Sequence, residues 1–273
     1  MRANVPAYEM ITPRNLEEAL ARLPEWKPFA GGTDLMVLFE AGKLTPKRFI
    51  NIWTLDELRV IEVSVDAVTL GSLTTYTDVQ RHPILRREFP MLCQAAAETG
   101  GIAIQNRGTL GGNIANASPA ADSPPALLAY GAEIELTSSH GSRWISYDLF
   151  HGGYKQMDLR PGELLTRIRL PRDGAEGIHF YRKVGTRKAQ AISKVCFAGY
   201  ARKNGAHIEE VRIGLASVAP TPIRWRRAEN FVKGLAVDGS VVDDIAAIDD
   251  IRSNARYRSQ VALNLLEEFS SRL

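Results

Sequence analysis

The stretch whose residue types could do chemistry runs from Gln105 to Tyr130. Thr109, Leu110, Gly111, Gly112 and Asn113 lie at its centre, followed by Asn116, Ser118 and Asp122. The run is rich in small polar residues and almost without charge. Adjacent glycines permit positive φ and let a ligand approach the backbone closely. Successive N–H groups in such turns form concave anion sites. Asn113, Asn116 and Ser118 add short side-chain donors. Asp122 stands where a helix cap belongs, with Pro124 and Pro125 in the first turn and Ala126, Leu127 and Leu128 behind. An uncharged, donor-rich loop feeding a helix suits a diphosphate better than a metal or a covalent nucleophile.

A second glycine pair lies upstream. Lys27, Pro28, Phe29 and Ala30 read as a short strand, Gly31 and Gly32 turn, and Asp34 opens a helical stretch after Thr33. Neither site spells GxGxxG or a P-loop, which argues against an ordinary dinucleotide fold. Either pair alone reads as a tight turn, because Gly and Asn dominate turns. Together, with hydroxyls and a capping acid beside them, they point to a bound phosphate.

The segments Ala30–Leu35 and Thr109–Asp122 resemble the two FAD-diphosphate loops of the molybdenum hydroxylases. These are the xanthine dehydrogenase, carbon monoxide dehydrogenase and hydroxybenzoyl-CoA reductase relatives. The likeness covers essentially the whole chain and is to their separate flavin subunit. It implies non-covalent FAD on Lys27, Pro28, Phe29, Ala30, Gly31, Gly32, Thr33, Asp34 and Leu35, and on Thr109, Leu110, Gly111, Gly112, Asn113 and Ser118. It implies that Asp122 caps its helix and meets the cofactor ribose. Lys183 is the family's lysine that reaches the flavin, and Leu164 or Leu165 its apolar wall. Molybdopterin and [2Fe-2S] clusters are expected in partner subunits, in a dimer of heterotrimers, with NAD or another acceptor taking the electrons. Gln190-Ala191 replaces the paired aspartates of animal members, so acceptor gating does not carry over. The implied fold is α+β. It combines two α/β lobes of the p-cresol methylhydroxylase/vanillyl-alcohol oxidase FAD-binding type with a C-terminal antiparallel sheet and three-helix bundle.

The elements that must position these loops follow from period and punctuation. Thr12-Pro13 predicts a helix start, with Leu16, Ala19, Leu20 and Leu23 on one face. With the strands at 27–30 and 49–52 it gives an α/β lobe over residues 1–55. Residues 56–172 read as a middle α+β lobe: a hairpin at 60–71, helices near 77 and 91–97, a hairpin around His140-Gly141, and a half-exposed strand at 164–170. Pro171 to Gly177 reads as a boundary. Residues 178–273 form the carbon monoxide dehydrogenase flavoprotein-like part. Its strands lie at 180–184, 194–202 and 208–218, with Asn204-Gly205 as a hairpin turn. Its helices are predicted at 226–232, 241–251 and 257–273.

Composition bounds the function. The 273 residues are 45% apolar and 24% charged, with net charge +3, which leaves no strong nucleic-acid or membrane footprint. Residues 1–6 lack a signal-peptide core, and no run approaches the ~20 apolar residues of a membrane span. A cytoplasmic location is expected. Two cysteines cannot ligate an iron–sulfur cluster, which takes about four. The five histidines, and the pairs Asp243-Asp244 and Asp249-Asp250, show no metal-ligand pattern. Read from its neighbours alone, Lys183 belongs to a basic run on a solvated face. Arg107 could offset phosphate charge or anchor its loop to a carbonyl. Two further classes stand beside the flavin subunit. One is a self-contained flavin oxidase or reductase, for which the chain is short and lacks an evident base. The other is a flavin-free assembly subunit.

Overall fold

A computed structural model describes residues 7–173, 176–187 and 190–273. The N-terminal hexapeptide, Gly174 and Ala175 of the expected boundary, and Lys188 of the basic run lie outside the described residues.

The first unit is β1 (Glu9–Ile11), α1 (Leu16–Arg22), β2 (Lys27–Phe29), α2 (Leu35–Glu40) and β3 (Arg48–Asn51). Its strands pair in parallel in the order β1-β3-β2. Helix α1 starts later than the Thr12-Pro13 signal predicts. Asn15 is the N-cap, and its side chain accepts the Glu18 N–H. Ala19 and Leu20 of α1 pack with Ile50, Ile52, Leu55 and Leu58.

The second unit begins with the hairpin β4 (Ile61–Val63) and β5 (Ala67–Gly71). Six short helices follow: α3 (Tyr76–Arg81), α4 (Pro83–Glu88), α5 (Pro90–Glu98), α6 (Ile102–Gln105), α7 (Leu110–Ala115) and α8 (Pro124–Ala129). Then come β6 (Glu133–Ser138), β7 (Gly141–Ser146), the small hairpin β8 (His151–Gly153) and β9 (Gln156–Met157), and β10 (Leu164–Pro171). The main sheet is antiparallel, in the order β4-β5-β10-β6-β7. Alternation in β10 breaks at Thr166, where a bulge between Leu165 and Arg167 turns the threonine inward.

The third unit is an antiparallel sheet of β11 (Ile178–Val184), β12 (Val195–Asn204), β13 (His207–Ala216) and the short β14 (Ile223–Arg224), with α9 (Arg226–Val232) and α10 (Ala255–Ser270). Gly205 turns the predicted hairpin with φ +60°. Of the three expected helices the middle one is only a 3₁₀ turn at Val241–Asp244. Val241, Val242 and Ile245 still pack on the core of this unit, whereas Ile248 and Ile251 beyond the turn are exposed. Among the described residues no helix is long and apolar enough to cross a membrane.

Every residue of α8 is buried, because the helix is packed between the second and third units. A Cβ at Gly214 of β13 would stand 2.2 Å from the Pro125 carbonyl oxygen, so only glycine lets the two backbones approach this closely. On the other side of the third sheet, Phe269 of α10 stacks on Phe180 at 6.0 Å and meets Phe197 at 5.9 Å. Phe269→Ala should therefore destabilise the chain by about 3–5 kcal/mol, read from urea unfolding. A loss under about 1 kcal/mol would mean that α10 does not hold this core.

Candidate functional site

A cleft of about 1400 Å³ runs between the first and second units. That exceeds the ~300–1,000 Å³ of an ordinary small-molecule pocket. Both glycine pairs form its walls, and their backbones touch. A Cβ on Gly31 would lie 1.8 Å from the Arg107 carbonyl oxygen. Gly32 has φ +76°, which L side chains rarely adopt. Arg107 stacks on the Trp53 ring at 3.8 Å and donates from Nε to the Gly31 carbonyl at 3.4 Å. Of its two expected roles, it takes the carbonyl anchor.

The structure separates the two loops by hydrogen bonding. Gly31, Gly32, Thr33, Asp34 and Leu35 line the cleft, and none of their N–H groups has an acceptor among the described residues. The second stretch is not an open loop. Thr109 caps α7, its hydroxyl accepting the Gly112 N–H at 3.0 Å. The Leu110 N–H bonds the Thr74 carbonyl, the Gly111 N–H the Ser72 carbonyl, and the Asn113 N–H the Thr109 carbonyl. Gly111 and Gly112 are helical, so positive φ does not explain them. Close approach explains Gly111, whose Cβ would stand 2.5 Å from Ser72 Cβ. Gly112 is exposed to the cleft, and a Cβ there would meet only Thr109 Oγ1 at 2.8 Å.

Thirteen of the expected residues line the cleft: Lys27, Pro28, Ala30, Gly31, Gly32, Thr33, Asp34, Leu35, Thr109, Gly111, Gly112, Asn113 and Leu164. Phe29, Leu110, Ser118, Asp122 and Lys183 do not. Leu110, the first residue of α7, is fully buried. Ser118 Oγ accepts the Ala120 N–H. Asp122 is not the helix cap; Ser123 precedes α8, and its hydroxyl goes to Asn113 Oδ1. Asp122 Oδ2 instead accepts from Lys183 Nζ at 2.6 Å, and Lys183 also donates to the Glu98 carbonyl at 2.9 Å. Lys183 is therefore buried in an ion pair and does not lie on a solvated face. Arg182 beside it is the exposed one, paired with Glu268.

The walls suit an elongated cofactor with a charged middle and a flat apolar end. Leu164, Leu165, Ile104, Ile192 and the Tyr76 ring supply apolar surface. Lys27, Lys43, Lys47, Arg48, Lys155 and Arg160 supply positive charge against Glu25, Asp34 and Glu163. Glu163 is already neutralised by Arg143 at 2.7 Å. No local motif marks Lys155 or Tyr76, because neither belongs to a glycine pair. Glycine-dense walls that close on each other, unpaired backbone donors and an apolar end define the class: a dinucleotide-binding flavoprotein cleft. The residues present fit FAD.

Comparison with known proteins agrees. The family described as "FAD binding domain in molybdopterin dehydrogenase" matches residues 6–173. "CO dehydrogenase flavoprotein C-terminal domain" matches residues 180–273. The chain is 32% identical to the xanthine dehydrogenase FAD-binding subunit of Escherichia coli O157:H7, over 93% of this chain and 89% of that one. It is also 32% identical to the glyceraldehyde dehydrogenase medium chain of Sulfolobus acidocaldarius, over 94% of each. Its fold superposes on a carbon monoxide dehydrogenase structure from Hydrogenophaga pseudoflava with TM-score 0.90 and 28% identity, covering 97% of this chain and 96% of that one. The chain belongs to the FAD-binding subunits of the molybdopterin dehydrogenases, and it has the p-cresol methylhydroxylase type of FAD-binding fold. It is an oxidoreductase subunit.

The Asp122–Lys183 pair predicts a pH dependence. Burial pushes the Asp122 carboxyl up to about 6, with the Lys183 ammonium pulling the other way. A carboxyl raised above its unfolded value of about 3.9 binds its proton more tightly when folded. Its contribution to stability is present below that value and is lost as pH rises through about 6. In the cofactor-free chain, wild type should gain stability relative to Asp122→Asn as pH falls from about 7 to about 4.5. Urea unfolding of both proteins at both pH values checks this. A constant difference would contradict it.

Proposed function

We propose that this chain holds one FAD non-covalently in the cleft and serves as the electron-transfer subunit of a molybdenum-containing dehydrogenase. The observation that carries the reading is the row of N–H groups from Gly31 to Leu35 that have no acceptor among the described residues, in a cleft that the glycine-rich α7 also lines. The diphosphate would lie between Ala30–Leu35 and Thr109–Asn113, receiving the open N–H groups of Gly31 to Leu35 and packing against the glycine face of α7. Lys27, Pro28 and Phe29 would support the nucleotide end. Leu164 would face the flavin, with Ser118, Asp122 and Lys183 acting from behind the wall. A flavin exchanges electrons one or two at a time, which suits a relay between one-electron centres and a two-electron acceptor. The protein orients the ring and excludes water; no acid–base residue is needed.

We further infer an iron–sulfur partner and a molybdopterin partner in a dimer of heterotrimers, with electrons leaving to NAD or another acceptor. Two cysteines, one of them fully buried, leave this chain no cluster ligands of its own. The partner surface would lie near the loop after Lys183 or near Asn106 and Arg107. The division into 1–55, 56–172 and 178–273 is part of the same reading.

Two outcomes are expected of the purified, FAD-loaded chain. Acid precipitation should release all the yellow colour, because among the described residues no histidine or cysteine lines the cleft. Colour retained in the pellet would show a covalent bond. Gly112→Val should abolish FAD binding while lowering the melting temperature by no more than about 4 °C, since its side chain lies at the cleft and crowds only the Thr109 capping hydroxyl, worth about 1 kcal/mol. Wild-type affinity in this variant would mean that α7 is not a cofactor wall. For the relay, the loaded chain alone should hydroxylate no purine or heterocycle. Turnover without partners would favour a self-contained oxidase.

A further inference from the structure

Asp34 poses a problem of charge. It lines the cleft within the turn that carries the free N–H groups, so a carboxylate stands where a diphosphate is proposed. Like charges repel, and the repulsion grows as a ligand displaces water from between them. An aspartate in the first turn of a helix also tends to take backbone N–H groups for itself. These are the donors that a phosphate would need.

The structure shows Asp34 doing neither. Its side chain makes no cap bond. Its Oδ1 accepts from Asn116 Nδ2 at 3.1 Å, across the cleft from its own loop. Asn116 is held in turn by Lys155, whose ammonium donates to Asn116 Oδ1 at 2.9 Å and to the Asn116 carbonyl oxygen. The two charges fix the orientation of the amide: its oxygen meets the ammonium and its nitrogen the carboxylate. All three residues line the cleft. They come from three separate elements: the turn before α2, the end of α7, and the tip of the β8–β9 hairpin. Lys155 sits at that tip with φ +57°, the left-handed region that few side chains other than Asn and Asp occupy. Burial lowers the pKa of its ammonium, and the charge of Asp34 opposes the fall.

We propose that Lys155 and Asn116 are positioning residues for the cofactor diphosphate. They hold the Asp34 carboxylate off the Gly31–Leu35 N–H groups and offset its charge. The chain Lys155–Asn116–Asp34 also ties the two glycine walls together at a fixed spacing. This inference rests on the FAD reading above. It assigns work to residues outside both glycine pairs.

The test is calorimetric titration of the full-length chain with FAD and with ADP, which carries the diphosphate without the flavin. Asn116→Leu and Lys155→Met should each weaken both ligands about fivefold, the upper end of what an exposed ion pair contributes. Adding Asp34→Ala to either variant should restore affinity to that of Asp34→Ala alone, because no carboxylate is left to compete. A role in packing alone predicts the opposite, a double variant at least as weak as the single one. Unrescued double variants, or single variants with wild-type affinity, overturn the inference while the FAD reading stands. If the wild-type chain bound neither FAD nor ADP, the FAD reading would fail and the inference with it.

Discussion

The structure depends on a contact between two backbones. Gly31 lies in the turn after β2 and Arg107 in the turn before α7, and they approach until no Cβ fits, with 1.8 Å left between its ideal position and the Arg107 carbonyl oxygen. This contact brings two walls that are 76 residues apart in sequence to one cleft. Arg107 reinforces it twice, by its bond to the Gly31 carbonyl and by lying flat on Trp53. The polar atoms on the walls then divide the work. The second wall has its N–H groups bonded to Ser72, Thr74 and Thr109, whereas the first leaves its own open. A wall whose own donors are already bonded competes little for an anion, which leaves the open donors of the other wall to receive it.

The third unit contributes one apolar residue, Ile192, to the same cleft. Helix α8 is buried on all sides, and Pro125 lies directly against Gly214. Lys183 crosses from β11 to Asp122 and to the end of α5. Arg258 of α10 is buried and donates to the carbonyls of Lys194 and Ser217, with Asp250 as its counter-charge. Lys194 is two residues beyond Ile192, which lines the cleft. A C-terminal sheet with no glycine loop of its own therefore fixes an apolar residue at the site.

Much of this was legible in the residues. The Asn204-Gly205 hairpin, the parallel β-α-β start and the glycine pair at 31–32 follow from local rules that tertiary packing did not override. The second glycine pair reads as a loop because Gly-Gly-Asn disfavours a helix. Helix α7 forms because Thr109 caps it and Ser72 and Thr74 take its first N–H groups, partners nearly forty residues away in sequence. Asp122 looked like a cap for the same reason: nothing local announces Lys183, which arrives from β11, 61 residues on. Lys155 was invisible because its role depends on Asn116 and Asp34, and sequence spacing does not record that three-way meeting. Specific chemistry was readable where one backbone segment defines it, and hidden where distant side chains do.

The central claim is that the Gly31–Leu35 N–H groups, and not those of α7, receive the diphosphate. Backbone amide NMR shifts of the nitrogen-15-labelled chain, followed during titration with FAD, test it directly. Gly31, Gly32 and Thr33 should show the largest downfield shifts, with Leu110 and Gly111 nearly unmoved because their N–H groups are already bonded. Large shifts at Leu110 and Gly111 with Gly31 to Thr33 unchanged would contradict it.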